Sequence, residues 1–226
     1  MTNWERFVFT FFNTKVMADY LPKIVEGFIL TVWLAALIVV SGLVLGLLLA
    51  VVRSFRIRPV NWLIVFLVDL FRALPPLVII VLIYFGMPSI GVAPSGFIST
   101  WLSLTFVLAA FAEEIFWAGI LAVPKGQWEA ARSTGMTFTR TLAWVVLPQA
   151  LRLTIPPLTN RTIAITKGTA LGSVVAVAEI LSQASAGVSF SSNPSPLTLG
   201  AIAYLVLFIP VVAFGRWVET RFAWKR

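Results

Sequence analysis

Five long, almost wholly apolar stretches constrain this chain before anything else. Each has at least ~18 residues, long enough to cross about 30 Å of hydrocarbon as a helix. They fall at roughly 27–52, 61–86, 101–123, 158–182 and 197–219. A backbone in hydrocarbon has to satisfy its own hydrogen bonds, so such stretches fold as helices. Composition agrees, with 59% of the 226 residues hydrophobic and only 12% charged. The lack of Cys and His excludes a disulfide framework, a thiolate nucleophile and an imidazole ligand for haem or metal. The expected class is an all-α integral membrane protein with five transmembrane helices.

The net charge of +8 would suggest nucleic acid in a soluble protein. Here the basic residues sit beside hydrophobic spans, where they set orientation, and no nucleic-acid partner is expected. Arg53, Arg56 and Arg58 fill the first connection, and Lys125, Arg132, Arg140 and Arg152 fill the third. Arg216, Arg221, Lys225 and Arg226 gather near the C-terminus. The connections Met87–Thr100 and Gln183–Pro196 carry no charge, and their Gly, Ser and Pro fit turns or short re-entrant pieces. Positive-inside orientation puts the N-terminus outside and the C-terminus in the cytoplasm of a multi-pass protein. Residues 1–26, with Trp4, Phe7, Val8, Phe11 and Phe12 at helical spacing, read as an interfacial amphipathic segment on membrane lipid. They lack the basic region and small-residue cleavage site of a signal peptide. The rest, 27–226, reads as one transmembrane domain without an internal repeat.

The connection at about 124–157 needs structure of its own, since about 34 residues is long for a helix–helix link. Gln127–Thr134 holds good helix formers ahead of Gly135, a left-handed cap. Thr137 is placed to N-cap a second amphipathic helix whose apolar face is Phe138, Leu142 and Val145–Leu147. Two short helices joined by a glycine turn are expected to lie flat under the membrane. A small Ala130–Ala131 face ending in a rigid turn can seat in a cleft on a partner and transmit a push.

The run Glu129-Ala130-Ala131, then Gly135-Met136, Val145 and Leu147-Pro148, resembles the EAA loop of ABC importer permease subunits, with Val145 where the family has Ile. Val123–Ala131, Leu147–Arg152 and Pro156-Pro157-Leu158 resemble the polar amino acid uptake branch. So do Phe71–Pro75, Ile83–Gly86, Ala112–Ile120 and Lys167–Leu171, although Trp117 replaces a family arginine and Glu113 is additional. The resemblance implies a type I ABC importer permease fold and a place in the bacterial inner (cytoplasmic) membrane. It implies an ABC ATPase dimer, a second permease chain, identical or paralogous, and a periplasmic or tethered solute-binding protein. Glu129, Ala130, Ala131, Gly135, Met136, Leu147 and Pro148 would couple to the ATPase. No Gly-x-x-x-x-Gly-Lys-Ser/Thr loop occurs, so ATP and Mg would be held by that partner, leaving this chain non-catalytic and without a cofactor.

Charged residues inside spans mark pathways or buried pairs. At ~1.5 Å per residue, Arg72 lies about 16 Å along span two and Lys167 about 14 Å along span four, with Glu113 and Glu114 half-way along span three. An amino acid zwitterion needs a cation and an anion at one depth, so Arg72 is a candidate for the carboxylate and Glu113 or Glu114 for the ammonium. The alternative is mutual neutralisation, Arg72 with Asp69 and Lys167 with a glutamate. Thr162, Thr166, Thr169 and Ser173 form a hydroxyl stripe on one face of an α-helix, which could line the pathway or permit close packing. Glu179 reads as a solvated interfacial residue ahead of a gate or a docking contact. An ion-coupled secondary amino acid carrier is the second functional reading, weakened by five spans with no repeat.

Overall fold

The computed structural model describes Thr2–Phe222, without the side chain of Phe222; Lys225 and Arg226, expected to mark the cytoplasmic end, lie outside the described residues. Helices α1 (Asn3–Phe11), α2 (Thr14–Ser54), α3 (Arg58–Ala73), α4 (Pro76–Val81) and α5 (Gly96–Ala122) follow one another. Then come α6 (Lys125–Ser133), α7 (Phe138–Thr141), α8 (Leu147–Thr166), α9 (Ile180–Ser191) and α10 (Ser195–Phe222). Among the described residues three helices are long and apolar enough to cross a membrane, or up to five spans if each of two bent pairs counts as one.

The breaks have local causes. Pro75 and Pro76 hold Leu74 and Pro75 in extended backbone, so α3 closes at Leu74 and α4 restarts with Pro76 in its first turn. A 3-10 stretch, Lys167–Val175, follows α8 and stops where Ala176 turns left-handed at φ 60°. The expected boundary near residue 26 is not a helix end: α2 runs unbroken from Thr14, its first turn capped by the Asn13 side chain on Val16 N at 3.2 Å. In the Gln183–Pro196 connection, where turns or short re-entrant pieces were expected, α9 occupies most of the length.

The chain divides into two compact units. One holds the residues up to Ile38, Pro75–Leu104 and Thr166–Val212. In it α1 is tied down by the α9–α10 turn: Asn193 Nδ2 donates to Phe9 O at 3.0 Å, and Ser195 Oγ accepts from Asn13 N at 2.9 Å.

The other unit holds Val39–Leu74, Thr105–Ile165 and the chain from Ala213 on. Its core packs Ala112, Phe116 and Ile120 of α5, and Val123 just beyond it, against Leu142, Val146, Ala150 and Leu158, with Ala50 of α2. A smaller cluster joins Ile64 and Val68 of α3 to Ala110. The expected second short helix is not separate. From Thr137, whose hydroxyl accepts from Arg140 N, the chain winds through α7 and a π-turn at Leu142–Val146 straight into α8. The widened turn makes room for Pro148, whose ring would clash with the preceding turn, and the Gln149 side chain donates to Val145 O at 2.8 Å.

Candidate functional site

The unit containing α6 holds both the coupling loop and most of the intramembrane charges. In α6, Glu129 and Ala130 are exposed while Ala131 is buried as the helix's anchor. Gly135 follows at φ 86°, a left-handed conformation that a side chain would strain, and Gly135 N donates to Arg132 O at 3.0 Å. Trp128 stacks on Phe138 with centroids 5.5 Å apart, and Phe55 meets the same ring edge-on at 5.5 Å. These aromatics seat α6 on the ends of α2 and α7, so the knob is braced from behind. Beside it opens a cleft of about 410 Å³ lined by Arg56, Trp117, Leu121, Lys125, Trp128 and Glu129, among others. Met136 is half-buried and Leu147 packs against the main core, while Pro148 is exposed.

Two charge pairs join helices in this unit. Glu113, with no exposed side-chain area, is held by Arg53 Nη1 at 3.0 and 3.1 Å, and the Arg53 guanidinium lies 4.9 Å from the Trp117 ring centroid. Arg72 Nη2 lies 2.7 Å from Glu114 Oε2, and its Nη1 lies 3.7 Å from Asp69 Oδ1. Arg72 and Glu114 therefore meet as expected for one level of the span, and Asp69 joins Arg72 as the neutralisation reading expects. Glu113 instead turns to Arg53, a residue read from sequence as an orientation charge. Both glutamates are thus engaged by arginines.

Sequence reasoning missed a third cation. Arg161 of α8 stacks on Phe111, its guanidinium 3.7 Å from the ring centroid, while Arg72 approaches the same ring at 5.4 Å. Arg161 falls inside the range expected for the fourth span, and that position alone would have placed it among the intramembrane charges.

In the other unit Lys167 is exposed, with Nζ 6.0 Å from the Phe208 ring centroid. Thr166 and Thr169 are buried there. Thr169 donates to Thr166 O at 2.9 Å and Ser173 to Ala170 O at 2.8 Å. Within the 3-10 stretch each residue advances about 120°, so Thr169 and Ser173 do not share the face that an α-helix would give them. Glu179 corrects the solvated reading: it is fully buried, caps α9 by accepting from Leu181 N at 2.9 Å and Ser182 N at 2.7 Å, and accepts from the Tyr204 hydroxyl.

The chain as a whole is similar to known proteins. Residues 42–224 match the family described as binding-protein-dependent transport system inner membrane component. The chain is 33% identical over 210 residues to the probable glutamine ABC transporter permease protein GlnM of Bacillus subtilis (strain 168), covering 92% of this chain and 97% of that one. It is 38% identical over 169 residues to the L-cystine transport system permease protein TcyB of the same organism, covering 75% and 72%. The crystal structure of an amino acid ABC transporter with histidines superposes at a TM-score of 0.82, with 32% identity, over 91% of this chain and 96% of that one.

Proposed function

We propose a transport role from one premise: the chain belongs to the family of binding-protein-dependent transport system inner membrane components. It is the permease subunit of an ABC importer for a polar amino acid. The relatives named for glutamine and cystine support the substrate class, and the family membership supports an ATP-driven importer over an ion-coupled carrier. It works with a second permease chain, identical or paralogous, two ATPase subunits and a periplasmic or tethered solute-binding protein. ATP and Mg are held by the ATPase, and this chain does no chemistry of its own. The N-terminus lies outside and the C-terminus in the cytoplasm.

One observation carries the coupling role. Glu129 and Ala130 project from a short helix that is fixed behind by the Trp128–Phe138 stack and ended by left-handed Gly135. Such a knob moves as a rigid body with the helices it is seated on. A push from the ATPase at Glu129–Met136 then passes through Leu147 and Pro148 into α8 and switches the pathway between its inward-open and outward-open states. Along that pathway the candidate residues are Arg72, Glu113 and Glu114 in one unit and Thr166, Lys167, Thr169 and Ser173 in the other.

The test is co-expression with the cognate ATPase and binding protein in proteoliposomes. Glu129→Ala is expected to abolish amino acid uptake and substrate-stimulated ATP hydrolysis while the chain stays folded. Unchanged uptake and stimulation in that variant would sink the coupling role.

A further inference from the structure

We infer that Arg161 is the residue that binds the carboxylate of the transported amino acid, an inference that rests on the transport role proposed above. In the unit that contains α3, α5 and α8, Glu113 has Arg53, and Arg72 has both Glu114 and Asp69. No ion pair among the described residues includes Arg161. What it has is the face of Phe111 at 3.7 Å. A cation inside a span without a counter-ion is costly, and an aromatic face recovers only part of that cost. An anion arriving at Arg161 would supply the rest.

The geometry of the stack favours a carboxylate. Stacking on Phe111 uses the flat face of the guanidinium and leaves the in-plane N–H edges free, and those edges match a carboxylate through two parallel hydrogen bonds. The ring also holds the plane in place, so the donors are oriented before the ligand arrives. Arg72, assigned the carboxylate by sequence reasoning, is less suited because Glu114 already occupies its Nη2 at 2.7 Å.

Glu114 completes the match. Its side chain is 48% exposed, and only Oε2 is engaged by Arg72. Its second oxygen is in no hydrogen bond among the described residues, so it can accept from an ammonium. Arg72 and Arg161 against Asp69 and Glu114 balance to zero, which suits a neutral zwitterionic head group rather than a net cation. The chemical class is an α-amino acid with a free carboxylate and a free ammonium.

The experiment measures ATP-dependent uptake of radiolabelled L-glutamine, L-glutamate and L-arginine by the full complex in proteoliposomes. It then compares the best transported of the three with its α-amide, which lacks the carboxylate charge. Arg161→Gln should raise KM for the free amino acid by about 30-fold or more, the loss expected for one charge-assisted contact. The α-amide, already poorly taken up, should lose little more. Arg161→Lys keeps the charge without the bidentate edge and should fall between wild type and Arg161→Gln, which serves if the glutamine variant does not fold. Equal losses for the amino acid and its α-amide would mean that Arg161 only packs Phe111 and would overturn the inference, as would unchanged KM in both variants. If wild type took up none of the three amino acids, the amino acid reading itself would fail, and this inference with it.

Discussion

Both carboxylate oxygens of Glu113 lie on a single nitrogen, Arg53 Nη1, at 3.0 and 3.1 Å, joining the C-terminal end of α2 to the middle of α5. The two ends of the pair are not equivalent. The Arg53 side chain is 20% exposed and rests on Trp117, whereas Glu113 has no exposure at all. Removing one partner of a buried pair leaves the other uncompensated, at about 3–5 kcal/mol. Arg53→Met, which strands the carboxylate, should therefore destabilise more than Glu113→Gln, which strands a partly exposed cation. Arg53→Met with Glu113→Leu should recover most of the loss, because an apolar pair restores the charge balance. Unfolding midpoints of the four proteins in a mild detergent give the coupling directly, and additive losses would refute a direct interaction.

The sequence disclosed what depends on neighbours along the chain. Apolar length placed the spans, and cap chemistry placed the Gly135 turn and the Thr137 start, since both are decided within a few residues. The connection expected to run to about 157 ends sooner, because a π-turn and the α8 helix, with Pro156 and Pro157 inside it, take up its second half. The partners of charges were illegible for a different reason. Arg53 and Glu113 are 60 residues apart, and Glu179 and Tyr204 are 25 apart, so no local pattern links them. Glu179 read as solvated because its position near a span end says nothing about the hydroxyl and two N–H groups that converge on it.

At Gly135 the demand is conformational and not steric. Its φ is 86°, and a Cβ built there would meet nothing within 4 Å. Gly135→Val would be forced into a backbone region that branched residues avoid, at about 1–2 kcal/mol, and the last turn of α6 should fray. Gly135→Asn, which tolerates the left-handed region, should keep most function. Substrate-stimulated ATP hydrolysis by the reconstituted complex is expected to drop about tenfold in the valine variant, in line with that energy, and little in the asparagine variant. Equal loss in both would point to space at the ATPase contact instead of backbone conformation.

Glu179 satisfies two backbone N–H groups at the start of α9 and the Tyr204 hydroxyl, all in a buried setting. Tyr204→Phe removes one charge-assisted hydrogen bond and should destabilise by about 1.5–3 kcal/mol. Glu179→Ala strips the cap and leaves two donors and the hydroxyl unpaired, so it should cost more than the phenylalanine variant. Hydrogen exchange at Leu181 and Ser182 separates the two effects. It should accelerate in Glu179→Ala and stay slow in Tyr204→Phe. Equal exchange in both variants would contradict the cap.

Gly119 of α5 lies close against α8 in their unit, and a Cβ there would lie 2.4 Å from Thr154 Cγ2 and 3.1 Å from Ala150 O. The nearer clash is with one methyl group. Gly119→Ala should destabilise by about 1–3 kcal/mol, as overpacking does in a filled core. Thr154→Ser deletes that methyl and keeps the hydroxyl, which donates to Leu151 O at 3.0 Å. Alone it should change stability by less than about 1 kcal/mol. Combined with Gly119→Ala it should restore part of the loss and not all, because the Ala150 carbonyl still stands close to the new methyl. Unfolding midpoints for the two single variants and the double variant test this, and a double variant no better than Gly119→Ala would place the obstruction at the α8 backbone instead of at Thr154.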